Sequence, residues 1–327
     1  MSTDPILIIA MRPPIITRQP PAAMVDSETR PVASRYAGLS DYWALTKPEV
    51  NFLIAFATFV GFYVALPAQV SRFPWMLLIH TLFGTLLVAS GTGTLNQYIE
   101  RRFDAQMRRT SRRPLAAGRL EPSGALWFGV AVSAVGSVYL AIAVNPLTSG
   151  LSILTLLTYL FLYTPLKRKT PLCTLVGAFP GAVPPLIGWA AVSGTIGSGA
   201  WVLSAVVFLW QFPHFMAIAW MYREDYRRAG YCVLPEGKAK HLVVSLQTIL
   251  PLLALFPIAL LPAWSRPGIV YRLGALLLNL AFFYYGARFV DQRSSTAARR
   301  LLTASIIYLP SILALMSLRG VSSGYGG

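Results

Sequence analysis

Residues 75–115 read WMLLIHTLFGTLLVASGTGTLNQYIERRFDAQMRRTSRRPL. The stretch 75–98 holds no Asp, Glu, Lys or Arg. It is long enough to cross a bilayer, which takes about 20 mostly apolar residues. Eight charged side chains then follow within residues 99–115. An apolar helix that runs straight into such a density of charge has one part in lipid and its end at the membrane surface. If the helix continues over 96–108, each step of four residues drifts by only about 40° and rises about 6 Å. Asn96, Glu100, Asp104 and Arg108 then form one stripe.

The rest of the chain repeats the apolar pattern. Of 327 residues, 55% are hydrophobic and only 12% charged, about half the charged share of a soluble domain. Mean hydropathy is +0.57. Beside 75–98, membrane-spanning segments are expected near 50–67, 124–143, 147–164, 172–193, 198–221, 243–263, 269–288 and 301–318. The fold class is therefore all-α, a polytopic bundle of nine transmembrane helices. Pro180, Pro184 and Pro185 predict a kinked or broken helix within 172–193, tolerated where it faces protein or a cavity. Residues 1–40, rich in Pro and Arg, read as a disordered arm. ILIIAM at 6–11 is too short for the core of a cleaved signal peptide. A membrane domain over 41–320 and a short flexible tail over 321–327 complete the expected organisation.

Charge orients the bundle. With residues 1–48 on the cytoplasmic side, 24 of the 28 Lys and Arg fall on that side, counting Arg288 at its border. Arg72, Arg266, Arg272 and Arg319 fall opposite. This places the N-terminus inside and the C-terminus outside, as expected for a bacterial cytoplasmic (inner) membrane protein. All 12 Asp and Glu share the cytoplasmic side, a bias that the topology rule does not require. Short outer loops account for it in one reading; chemistry at the cytoplasmic face accounts for it in the other. The net charge of +16 reflects membrane borders and anionic lipid rather than nucleic acid. Cys173 and Cys232 form no metal spacing.

The opening stretch carries chemistry. Two carboxylates and an amide oxygen on one stripe are hard oxygen ligands, the kind that Mg²⁺ takes together with waters and phosphate oxygens. Arg101, Arg102, Arg108, Arg109, Arg112 and Arg113 surround them, and guanidinium groups bind phosphate. The pattern fits a diphosphate bridged to metal, with the rest of the substrate in the membrane. Basic loops are common at membrane borders, and Glu/Arg pairs often only solvate a helix. The functional reading gains from a second acidic turn, LWQFPHFMAIAWMYREDYRRAGYCVLP at 209–235. There Glu224 and Asp225 are followed by Arg227 and Arg228, and Tyr226 lies between. Between the two turns, YTPLKRKTP at 163–171 supplies Tyr163, Lys167, Arg168 and Lys169. His214 sits inside the membrane, where ionisable residues are functional candidates, with Trp210 one turn away. His80 reads as structural.

These elements resemble the UbiA superfamily of intramembrane prenyltransferases, and within it the protohaem IX farnesyltransferases, or haem O synthases. The resemblance covers about 41–318. It rests on LTKPEVNFL at 45–53, NQYIERRFDAQMRRTSRRPL at 96–115, YTPLKRKTP at 163–171, GAFPGAVPPLIGW at 177–189, WQFPHF at 210–215, EDYRRAGYCVLP at 224–235 and SIIYL at 305–309. It implies nine helices around a central cavity and transfer of farnesyl from farnesyl diphosphate to a vinyl group of haem b, with addition of water. It implies Mg²⁺ on Asn96, Glu100, Asp104 and Asp225, with Glu224 a further candidate. Lys167, Arg168, Arg108, Arg109 and Arg113 would bind the diphosphate. Phe103, Tyr163, Trp210 and Tyr226 offer aromatic faces to positive charge. His214 would hold the water or ligate haem iron. A haem A synthase or a terminal-oxidase assembly factor is the implied downstream partner. Glu100 and Arg102 stand where the family usually or often has Asp, Cys173 where it often has Asn, and Glu49 where a basic residue is usual. The motif thus carries fewer oxygen ligands than usual. Two other readings use the same features: a related prenyltransferase acting on a quinone precursor or chlorin, and a secondary transporter. Transporter sites lie near the bilayer midplane, whereas these acids gather at one face.

Overall fold

The computed structural model describes residues 38–67, 72–235, 237, 239–260 and 268–318. The expected arm therefore lies outside the described residues up to 37, as does the tail over 321–327. Leu39 and Ser40, at the end of the expected arm, already belong to a helix, α1, Leu39–Leu45. The described residues form helices and no strand. In chain order there follow α2 (Pro48–Ala65), α3 (Trp75–Asp104), α4 (Pro122–Ala143) and α5 (Pro146–Leu157). A π-helical segment (Thr158–Tyr163) runs on into α6 (Thr164–Leu166). Then come α7 (Cys173–Gly181), α8 (Pro184–Ser193), α9 (Ser198–Met221), α10 (Arg223–Arg228), α11 (Ala239–Leu260), α12 (Ile269–Gln292) and α13 (Ser295–Ser317). Among the described residues nine spans are long and apolar enough to cross a membrane.

Local chemistry sets the helix ends. Pro48, Pro122, Pro146 and Pro184 open their helices, where the missing N–H has no intrahelical partner to lose. Asn145 and Ser294 cap α5 and α13 by accepting from Thr148 N at 2.9 Å and Ala297 N at 3.1 Å, which satisfies a free donor of each first turn. The expected break in the fifth span falls between Gly181 and Pro184. Backbone carbonyls around it are met by side chains of α9: Gln211 donates to Ala178 O at 3.1 Å and Ser204 to Ala182 O at 2.7 Å. An unmet carbonyl in hydrocarbon would cost several kcal/mol, by a rough estimate.

Helix neighbours close into a ring. α2 packs on α3 and α8, α3 on α4, α4 on α5, α5 on α7 and α8, and α7 on α9. α9 packs on α11 and α13, α11 on α12, α12 on α13, and α13 returns to α2. The halves of the broken span and α9 are the most buried spans. The outer surface carries exposed apolar side chains such as Trp127, Ile142 and Leu277, which suits lipid rather than water. α2 and α8 approach backbone to backbone. A Cβ added at Gly188 would overlap the Thr58 carbonyl oxygen, and one at Gly61 the Pro185 carbonyl oxygen. Small residues allow this approach where no hydrophobic force between helices exists.

The sequence reading needs one correction here. The helix expected over 96–108 ends at Asp104, so Arg108 leaves the stripe and is exposed. The hydroxyl of Thr110 takes the Asp104 carbonyl at 2.9 Å, and Met107 turns inward against Ala229 and Tyr231. These contacts convert the next turn of helix into a compact loop.

Gly188→Val should therefore separate α2 from α8 and lower the apparent Tm in detergent by several degrees, in line with a cost of about 1–3 kcal/mol for overpacking. An unchanged melting curve would show that the two helices are not in backbone contact.

Candidate active site

The last three turns of α3 carry Asn96, Glu100 and Asp104, which are only 1%, 5% and 1% exposed. Burying polar and charged groups is costly unless each finds a partner. Each does, from a different element. Lys47, in the junction of α1 and α2, donates to Asn96 Oδ1 at 2.7 Å. Asn96 Nδ2 donates to Glu100 Oε2 at 3.0 Å and to Thr164 Oγ1 at 3.2 Å. Lys167 holds Glu100 through both oxygens, at 2.8 and 3.1 Å. Arg113 reaches back to Asp104 Oδ2 at 2.8 Å.

Backbone geometry delivers these cations. Lys47 adopts φ +54°, a left-handed conformation that is uncommon for a residue with a Cβ and marks a place worth explaining. The π-helical segment ends at Tyr163, and Thr164 opens α6. Thr164 donates to Tyr159 O at 2.9 Å, and such segments recur at functional sites. Lys167 follows one turn later, its ammonium 4.5 Å from the centre of the Tyr163 ring.

The second acidic turn docks on the first. Asp225, 7% exposed, opens α10 and accepts from the Arg109 backbone N–H at 3.3 Å. It also pairs with Arg228 at 3.5 Å, and Arg228 reaches Gln106 O at 3.4 Å. Arg109 donates to Tyr226 Oη at 3.2 Å and lies over the Tyr222 and Tyr226 rings. The 163–171 turn joins them: Cys232 N donates to Lys167 O at 2.7 Å, and the Arg168 guanidinium stands 4.3 Å from the Phe103 ring centre. Three turns from distant parts of the chain thus interlock at one end of the bundle.

Electrostatics follow from this packing. Burial, and next the Arg113 guanidinium, push the Lys47 ammonium down to about 7. Burial works against the Lys167 ammonium too, yet the Glu100 carboxylate beside it outweighs burial and holds it well above the usual lysine value. Tyr231 is buried, with its hydroxyl toward the Glu100 carboxylate. Burial, then the Glu100 charge, raises its phenol above the usual range, so it remains a proton donor aimed into a polar site. Sequence reading missed Lys47 and Tyr231. Both lie in quoted stretches, LTKPEVNFL and EDYRRAGYCVLP, but neither belongs to an acidic or basic run.

Other expected residues sit elsewhere. Glu224 points outward, 64% exposed, and pairs with Arg227 at 3.3 Å and Arg223 at 3.9 Å. Arg102 is exposed and lies off the stripe, so the basic residue there takes nothing from the row of Asn96, Glu100 and Asp104. Cys173 is buried and free. His214 is deeper in the bundle. Its Nδ1 shares a 2.8 Å bond with Ser305 Oγ of α13, and its ring stacks on Trp210 at 4.5 Å. Trp210 in turn donates to Ser305 O at 2.7 Å. Tyr139 engages His80 Nδ1 at 2.6 Å.

Chemically, this end presents three buried carboxylates, an amide oxygen and more cations than the carboxylates need. Among the described residues no three His, Cys, Asp or Glu close into a ready metal cage. The arrangement suits an anionic ligand that brings part of the metal shell with it.

Comparison with known proteins agrees with this chemistry. The UbiA prenyltransferase family matches residues 54–309. A protein of Solibacter usitatus named protoheme IX farnesyltransferase is 47% identical over 288 residues, covering 86% of this chain and 98% of its own. Among solved structures, a UbiA homologue from Aeropyrum pernix K1 superposes with TM-score 0.64 at 20% identity, covering 82% of this chain and 98% of its own. A UbiA homologue from Archaeoglobus fulgidus bound to GPP and Mg²⁺ superposes with TM-score 0.58 at 15% identity, covering 85% of this chain and all of its own. The match over most of the span from α2 to α13, together with the shared all-helical fold, establishes this integral membrane protein as a member of the UbiA prenyltransferase family.

Proposed function

We propose that the chain transfers the farnesyl group of farnesyl diphosphate to a vinyl group of haem b, with water added, to give haem O and diphosphate. One observation carries the reading: Asp225 is seated on the loop that follows Asp104, so both acidic turns and their surrounding cations lie together at one end of the bundle. The name of the Solibacter usitatus relative supports the choice of substrate. The charge split described above supports an orientation with this end in the cytoplasm and the protein in the bacterial inner membrane.

The donor set fits Mg²⁺. Its oxygens are hard, and the ion usually keeps waters and takes only one or two carboxylates beside substrate phosphate. Glu100, Asp104 and Asp225, with Asn96 Oδ1, are the residues among which it would find its protein ligands, as Mg²⁺ accompanies the prenyl diphosphate in the Archaeoglobus fulgidus homologue. Bound there, the ion would neutralise diphosphate charge.

The protein's own groups do the rest. Lys47, Lys167, Arg113 and the Tyr231 hydroxyl donate to oxygens of the departing diphosphate as the C1–O bond of farnesyl breaks. Tyr163, already against a cation, presents its ring face to positive charge near C1. The apolar interior keeps water from the allylic carbon until the vinyl carbon has bonded to it. Charge then resides on the carbon next to the porphyrin ring. A water held at His214 adds there and gives up a proton. One farnesyl diphosphate, one haem b and one water thus yield haem O and diphosphate.

Glu100→Gln and Asp104→Asn should each lower kcat by about 100-fold or more while the protein remains folded and inserted, measured as haem O formed per hour from purified enzyme. Normal turnover in either would remove the carboxylates from the reaction. Membranes given labelled farnesyl diphosphate should label haem b and leave 4-hydroxybenzoate unlabelled; the reverse result would assign the chain to a quinone pathway. His214→Ala should lose haem binding or product, and an unaltered rate with an unaltered haem spectrum would make His214 structural.

A further inference from the structure

A second polar site lies on the outside of the bundle. The outward faces of α12 and α13 enclose a groove of about 540 Å³ at the charged end, lined by Tyr284, Tyr285, Arg288, Arg299, Arg300 and Ile307 among others. These tyrosines and arginines are exposed. The face of each helix that meets the bundle is the opposite one, carried by Phe282, Gly286 and Phe289 on α12 and by Ala298, Leu301 and Ser305 on α13.

Three features identify an occupant. First, among the described residues the three guanidiniums have no carboxylate partner, a state they share with others such as Arg102 and Arg108, but here three such charges line one groove. Asp291, the nearest acid in sequence, is exposed and makes no ion pair among the described residues. Second, the depths agree. Arg288 lies one turn before the end of α12 at Gln292, and Arg299 and Arg300 lie one turn after the start of α13 at Ser295, so all three stand about 6 Å inside the helix ends. Third, polarity falls with depth: the tyrosines come one turn below Arg288, and Ile307 two turns below Arg299 and Arg300. Phosphate, glycerol ester and acyl chain follow the same order in a lipid. Tyrosine belongs at the interface level, and basic pockets between helix ends bind acidic headgroups.

We propose that this groove binds the phosphate headgroup of an anionic phospholipid, held by Arg288, Arg299 and Arg300, with its acyl chains lying along Ile307. The site is separate from the prenyltransferase reading and stands or falls independently of it.

The test uses the full chain in neutral detergent, titrated with dioleoyl phosphatidylglycerol, dioleoyl phosphatidylcholine or inorganic phosphate. Phosphatidylglycerol should raise the apparent Tm by several degrees, and the other two should not. The triple variant Arg288→Gln/Arg299→Gln/Arg300→Gln should lose at least half of that shift, while Arg272→Gln, at the far end of α12, should keep it. If the triple variant fails to fold, native mass spectrometry of Arg288→Gln and Arg300→Gln alone should show fewer retained phosphatidylglycerol molecules than the unsubstituted protein. An equal shift in the triple variant, equal retention in the single variants, or an equal loss in Arg272→Gln would overturn the site in favour of diffuse attraction. A full shift from inorganic phosphate alone would overturn its assignment to lipid.

Discussion

The structure depends on the pairing of buried acids with cations that arrive from far along the chain. Asn96, Glu100 and Asp104 are placed by one helix, but Lys47, Lys167 and Arg113 come from three other segments. Stripping one partner from a buried pair typically costs about 3–5 kcal/mol. The loops at this end are therefore held in one arrangement. The charges proposed to act on the diphosphate are the same charges that fix the turns around them.

The broken fifth span shows how the apolar part accommodates irregularity. Regular helix is interrupted between Gly181 and Pro184, in the middle of the bundle, and carbonyls beside the break meet Gln211 and Ser204 of α9. α9 thus serves twice: it seals the break on one side, and on another it presents His214, steadied by Trp210 and Ser305 of α13. The close approach of α2 and α8 at Gly61 and Gly188 packs the second half of the broken span firmly against the first span.

Much of this was legible in the sequence because it rests on local rules. Lengths of apolar runs located all nine spans, and the prolines at 180, 184 and 185 located the break. Four-residue spacing identified Asn96, Glu100 and Asp104 as one row. What escaped were features set by tertiary contact. Helix geometry extended the row to Arg108, but Thr110 and Met107 end the helix at Asp104 through contacts that no local pattern encodes. Glu224 and Asp225 are adjacent and chemically alike, yet only Asp225 faces the Arg109 backbone; the direction of a six-residue helix decides between them. Lys47 and Tyr231 were invisible for the same reason. One depends on a left-handed turn before a proline, the other on where a loop folds back.

The ion pairs have a further consequence for how the enzyme cycles. Lys167 and Arg113 already grip Glu100 and Asp104, so on the proposed diphosphate reading an arriving headgroup would have to win them from a tethered rival that is always at hand. Such built-in competition weakens the hold on any polyphosphate that comes without its metal. On that reading, the spent leaving group, once stripped of its counter-ion, would be expelled as Glu100 and Asp104 reclaim Lys167 and Arg113.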